Sequence, residues 1–309
     1  MLQNVFILVT SIFLIIKSAT MASKYASRLA ESFNLSKYTI GFIVIAIISI
    51  LPETFISINA AIQNVPAFGL ATLFGSNISD LTLIFAILVA YAGHGIRIES
   101  KILKNNVVYP IFLLVPITLG FDGNYTRLEG LTLIIIGTAF YYLAFKNGNH
   151  RSALVDIPEN KGKNSVLLLL SMLVLLVSSH FTVTSATALA YNLKINSILI
   201  GILIVGLGTT MPELLFSLKS VKKNDESLAI GDILGTVLAD ATIVVGLLAI
   251  INPFSFPQKI IYSTGIFMVV SSFLLFYFLN SQKYLSKKES FILFIFWLTY
   301  ISIEIVLGI

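Results

Sequence analysis

The sequence predicts an all-α integral membrane protein with ten transmembrane helices, arranged as two inverted five-helix repeats. Three observations predict this fold: an apolar, charge-poor composition, basic residues confined to alternate loops, and a self-match at an offset of 160 residues. The chain is 57% hydrophobic and 11% charged, with a mean hydropathy of +0.93, whereas soluble domains carry about 25% charged residues. No cysteine is present, which excludes disulfides and thiolate metal sites. The net charge of +5 does not point to nucleic acid, because the basic residues lie between apolar segments and so report topology.

Apolar stretches of roughly 20 residues, each long enough to cross about 30 Å of hydrocarbon, recur along the chain. In the first half they fall at 4–30, 38–62, 67–92, 106–120 and 128–146; in the second at 165–190, 195–219, 228–252, 259–280 and 290–308. The first has no basic residue before it and only a poor cleavage signal after it, so it reads as a membrane helix and not a signal peptide. Residues 1–146 form the first repeat, 147–164 a polar cytoplasmic linker, and 165–309 the second, inverted repeat.

Sixteen basic residues fall on one side: Lys24, Arg28 and Lys37; Arg97, Lys101 and Lys104; Lys146, Arg151, Lys161 and Lys163; Lys219, Lys222 and Lys223; Lys283, Lys287 and Lys288. The other side holds Arg127, Lys194 and Lys259. Cytoplasmic loops carry the Lys/Arg excess, so a multi-pass cell-membrane protein with both termini on the non-cytoplasmic side is expected.

At the 160-residue offset, the stretch from Gly41 to Glu53 aligns with that from Gly201 to Glu213, and Gly75-Ser76-Asn77-Ile78-Ser79-Asp80 aligns with Gly235-Thr236-Val237-Leu238-Ala239-Asp240. Each half thus sets a Glu and an Asp 27 residues apart, without a gap. Five segments per repeat is an odd number, which inverts the second half relative to the first, a transporter arrangement with ion sites near the midplane. Pro52 and Pro212 each remove a backbone donor, freeing carbonyls around Ala46–Ser49 and Gly206–Thr209 as ligands.

An ionised carboxylate at the centre of a membrane helix costs about 2.5–3.5 kcal/mol even on insertion scales. Glu53, Asp80, Glu213 and Asp240 have no basic residue at matching depth, so a cation or proton must compensate them. Hard cations take oxygen ligands, and calcium takes about 6–8 of them; Ser49, Thr209, Ser76 and Thr236 supply hydroxyls nearby. The absence of Cys, and of His beside the acids, disfavours zinc and copper. Protonated, helix-bridging carboxyls are the competing reading for the two aspartates, and packing for the hydroxyls. Asp232, aligned with Thr72 near a helix start, reads as a dipole-favouring acid. Glu304 reads as interfacial, and His180 as either a proton carrier or a structural histidine.

At these residues the sequence resembles the sodium/calcium exchanger family, within the calcium/cation antiporter superfamily. The resemblance rests on Ile48-Ser49-Ile50-Leu51-Pro52-Glu53, Gly208-Thr209-Thr210-Met211-Pro212-Glu213 and the two Gly-(Ser/Thr) motifs ending at Asp80 and Asp240. It implies that Glu53 and Glu213 are the central calcium ligands, with Ser49 and Thr209 beside them. Ser76, Thr236 and the Ala46 and Gly206 carbonyls would then serve flanking sodium sites, with Asp80 and Asp240 amid the cluster. It also implies alternating access by sliding of the first and sixth helices. The chain departs from the family pattern at Ile48, Ile50 and Asp80, and at Thr20 and His180, where many members carry acids.

The expectation is a secondary active antiporter, not an enzyme, exchanging Ca²⁺ for a monovalent cation, with Na⁺ the first expectation. A proton-coupled or potassium-involving exchanger, a cation channel and a transport-inactive scaffold are the rivals. No cofactor is implied; the cations are substrates, and the bilayer is the other partner.

Overall fold

A computed structural model describes residues 1–31, 46–97, 108–147, 161–282 and 284–307, and most of them are helical. In the first half, α1 (Leu2–Glu31) is followed by α2 (Ala46–Ser49) and α3 (Leu51–Ile62), separated only by Ile50. Then come α4 (Pro66–Ala92), α5 (Val108–Leu119) and α6 (Arg127–Asn147). The second half comprises α7 (Lys161–Leu193), α8 (Ser197–Lys222) and α9 (Glu226–Ile251). It ends with α10, a π turn at Ile261–Gly265 continuing through Ile266–Gln282, and α11 (Lys287–Leu307). Strands β1 (Ile96–Arg97), β2 (Asn124–Tyr125), β3 (Phe254–Ser255) and β4 (Tyr284–Leu285) are two residues each. They pair antiparallel, β1 with β4 and β2 with β3, so each ladder ties one half to the other.

The 160-residue register reappears in the backbone. Pro66–Ser79 is matched by Glu226–Ala239, and Arg127–Asn147 by Lys287–Leu307. The helix starts have a shared chemical cause. Thr126 and Ser286 each form a reciprocal capping box with the Glu three residues on, satisfying otherwise orphaned donors: the Glu129 carboxylate accepts from Thr126 N at 2.7 Å, and that of Glu289 from Ser286 N at 2.8 Å. The turns correspond as well. Asn64 (φ 60°) and Asn224 (φ 57°) are both left-handed, a conformation asparagine tolerates better than most residues.

Packing follows the same exchange. α1 lies along α7; α1 also crosses α8 while α7 crosses α3. α6 packs on α9 as α11 packs on α4. α4 and α9 are the most enclosed helices. Two apolar cores result: a large one around α4, α9 and the outer helices, and a smaller one joining α1, α3, α7 and α8 through residues such as Ala19, Ala22, Ala186 and Ala190.

Among the described residues seven helices are long and apolar enough to cross a membrane: α1, α4, α7, α8, α9, α10 and α11. Of the other three expected segments, α5 is a shorter apolar helix, and α6 carries Arg127, Glu129 and Lys146 near its ends. The start of the 38–62 segment, including Gly41–Ile45 of the repeat alignment, lies outside the described residues, as do 148–160 of the linker, Arg151, Lys37, Lys101, Lys104 and Lys283. On either side of residues 148–160, α6 reaches Asn147 and α7 begins at Lys161.

The proline breaks differ. Ile50 interrupts the helix before Pro52, whereas Pro212 sits inside a continuous stretch of α8, Gly206–Lys222. The carbonyl that Pro212 leaves unbonded belongs to Gly208, four residues back, and a π turn at Gly201–Val205 precedes it. Glu304, expected at the interface, is enclosed by protein. It is fully buried, because its side of α11 faces hydroxyls of α10.

Candidate functional site

The central acids occupy matched positions on four helices. Glu53 lies in the first turn of α3, and Glu213 is its counterpart in α8. Asp80 and Asp240 each open a π turn, Asp80–Ile84 in α4 and Asp240–Val244 in α9. Both turns carry an Asp-x-Thr sequence. The Thr82 hydroxyl donates to the Ile78 carbonyl and that of Thr242 to the Leu238 carbonyl, each occupying the acceptor four residues back and loosening the α-helical ladder there. π turns inside α-helices frequently mark functional sites. The sequence reading did not anticipate them, although Asp-x-Thr recurs at the repeat offset.

A fifth acid joins these four. Asp232, expected to favour a helix dipole, is fully buried in α9, and its Oδ1 accepts a 2.8 Å hydrogen bond from Ser49 Oγ. That bond links α2 of the first repeat to α9 of the second. The Asp232 charge acts on Glu53, Asp80 and Glu213, and Glu53 acts on Asp80, Glu213 and Asp240. The missed signal was an acid in an apolar run, with no basic neighbour, aligned with another mid-helix polar residue, Thr72.

The predicted hydroxyls divide by role. The Thr209 and Thr210 hydroxyls both donate to the Gly206 carbonyl, at 3.0 and 2.9 Å. That carbonyl is therefore held within its own helix in this conformation. Ser76 turns back to the Leu73 carbonyl at 3.0 Å, while Thr236 Oγ1 is buried without a hydrogen-bond partner. Ala46 opens α2, which packs on α9. Glycine sets the close approach of α4 and α8: a Cβ at Gly206 would lie 3.2 Å from Ser76 N, and one at Gly75 would lie 3.1 Å from Ile202 Cα.

Seven carboxylate oxygens of the five acids are buried with no hydrogen-bond partner: one each on Glu53, Asp80 and Asp232, and both on Glu213 and Asp240. None of the five is ion-paired to a described basic residue. An unsatisfied buried polar group costs about 1–3 kcal/mol, more when charged, so these carboxyls call for compensation by protons or cations. Among the described residues, no three acids converge as a ready-made cage. Hydroxyls and carbonyls must therefore complete any coordination shell. His180 is exposed, 3.5 Å from Gln63 Nε2, and stands apart from these acids.

Comparison with known proteins accords with this geometry. The family profile described as sodium/calcium exchanger protein matches twice, over residues 3–146 and 163–306. An uncharacterised membrane protein of Methanocaldococcus jannaschii is 29% identical over 267 residues, covering 84% of each chain. The sodium/calcium exchanger MaX1 of Methanosarcina acetivorans is 21% identical, covering 97% of this chain and 98% of its own. A solved structure of the sodium-calcium exchanger NCX_Mj shares the fold, with a TM-score of 0.72, 22% identity and 97% of each chain covered.

Proposed function

Since the chain belongs to the sodium/calcium exchanger protein family, we propose that it is a secondary active antiporter exchanging Ca²⁺ for a monovalent cation, Na⁺ first. The family carries inorganic cations across membranes and is one of transporters, not enzymes. In this reading ten helices form two inverted repeats, with both termini outside the cytoplasm and the acids near the midplane. One observation carries the reading: five buried acids, drawn from both repeats, act on one another while seven of their oxygens lack donors.

Glu53 and Glu213 supply the central Ca²⁺ ligands, with Ser49 and Thr209 adding oxygens. Asp80 and Asp240 complete the negative centre, and Ser76, Thr236 and the Ala46 and Gly206 carbonyls serve flanking monovalent ions. Ion competition couples the fluxes: cations bind the same carboxylates from alternate sides, and a loaded, charge-balanced centre switches readily. The moving element is the α1–α7 pair, which has its own apolar core against α3 and α8 and meets partly through Ala19, Ala22, Ala186 and Ala190. Small residues let membrane helices pack closely without interlocking bulk.

A second reading draws on Asp232. One Ca²⁺ balances two of the five negative charges, so the remaining charge calls for further cations or for protons. Proton coupling is thereby favoured as the alternative. Vesicles loaded with Na⁺ and diluted into Na⁺-free buffer should take up ⁴⁵Ca²⁺. Uptake that follows an imposed pH gradient and ignores Na⁺ would replace the sodium version with the proton one. Conductance without any counter-ion would defeat both.

A further inference from the structure

A second buried polar cluster lies away from the central acids. Glu304 and Tyr300, one helical turn apart on α11, are both fully buried. Glu304 Oε1 accepts from Ser263 Oγ at 2.8 Å and from Thr264 Oγ1 at 2.9 Å. Glu304 Oε2 and the Tyr300 hydroxyl are both enclosed without a hydrogen-bond partner. Ser263 and Thr264 belong to the π turn Ile261–Gly265, where a looser backbone aims both hydroxyls at one carboxylate oxygen. The Tyr300 ring is fixed against Phe267, with centroids 5.4 Å apart.

This cluster breaks the repeat. At the 160-residue offset, Glu304 corresponds to Ala144 and Tyr300 to Phe140. The acids that act on one another at the centre do not include Glu304. It stands in the last turn of α11, against the first turn of α10.

We propose that Glu304, Tyr300, Ser263 and Thr264 form a second cation site that takes a monovalent ion of the Na⁺ class. A carboxylate built only to brace two helices would have both oxygens paired; here Oε1 is doubly bonded while Oε2 and the neighbouring phenol oxygen have no partner. One cation beside Oε2 and the Tyr300 oxygen satisfies both. A single carboxylate charge with neutral hydroxyls matches a monovalent ion, whereas calcium sites draw on about 6–8 oxygens and usually several carboxylates. The position at the adjoining ends of α10 and α11 suits an ion that tunes their contact, not one that crosses.

The test uses the full chain with the central acids neutralised (Glu53→Gln, Asp80→Asn, Glu213→Gln, Asp232→Asn, Asp240→Asn) and measures equilibrium ²²Na⁺ binding in choline buffer. A residual saturable site should remain, disappear on adding Glu304→Gln, and weaken several-fold with Tyr300→Phe or with Ser263→Ala/Thr264→Val. No residual site, or a site indifferent to Glu304, overturns the proposal. Should the Glu304 variant fail to fold, the unsubstituted chain provides the second readout. Infrared difference spectra between Na⁺ and choline should show an ionised carboxylate band that the Ser263→Ala/Thr264→Val pair shifts. No such shift overturns the proposal.

Discussion

The two repeats share a backbone but differ in their polar residues. Capping boxes, left-handed asparagines and π turns recur at one offset, so the halves fold by the same local rules. Yet the first half sets Ile50 before Pro52, Thr72 in α4, and Ala144 in α6, where the second has Thr210, Asp232 and Glu304. Symmetric architecture can thus house an asymmetric charge distribution. Of the buried acids among the described residues, four are paired by register, while Asp232 and Glu304 have no acidic counterpart in the first half. Under the proposed exchange, the paired acids are the shared ion centre and the unpaired Asp232 sets how much extra positive charge it demands.

The sharpest break of the comparison is at the paired glutamates. Glu53→Gln and Glu213→Gln should each lower Ca²⁺ affinity about 100-fold or more, since removing one member of a buried charge set costs about 3–5 kcal/mol. Gradient-driven ⁴⁵Ca²⁺ uptake reads this. A fully active double variant would end the antiport account. Next comes Asp232→Thr, which copies the first repeat into the second. Loss of a hydrogen bond to a charged group, worth about 1.5–3 kcal/mol, should weaken apparent Ca²⁺ affinity about tenfold. Adding Thr72→Asp should recover part of it, because the acid returns at the symmetry-related place. A drop in thermal stability with unchanged affinity would leave Asp232 outside the ion centre.

Gly206→Ala tests the helix crossing. Its register partner, Ala46, already carries a Cβ, whereas at Gly206 the added atom meets Ser76 N and the Thr72 carbonyl, at 3.2 and 3.3 Å. Overpacking of this kind costs about 1–3 kcal/mol, visible as a lower thermal midpoint in detergent. The smallest effect tests the symmetry itself. Thr126→Ala and Ser286→Ala should each cost about 1 kcal/mol, and by nearly equal amounts. Clearly unequal losses would show that the two capping boxes, alike in geometry, differ in energetic weight.

Much of the fold was legible from residue order. Hydropathy located the seven long apolar helices among the described residues, and the backbone follows the 160-residue register from Pro66–Ser79 through Arg127–Asn147. Glu53, Asp80, Glu213 and Asp240 were visible because a charge in an apolar run is conspicuous without any structure. Asp232 carries the same signal, but nearness to a helix start offers a local explanation for an acid. Its contact with Ser49 spans 183 residues of sequence and has no local trace.

The sequence by itself determined that the chain is rich in apolar, membrane-spanning helices and that its halves match, because insertion cost and periodicity are properties of short stretches. Tertiary structure alone decided that Pro212 lies in an unbroken helix, that the Gly206 carbonyl is taken by two threonines, and that Glu304 is enclosed by Ser263 and Thr264. These outcomes depend on which helix face meets which neighbour. That is a long-range packing choice, set by where the whole molecule can place its few buried polar groups.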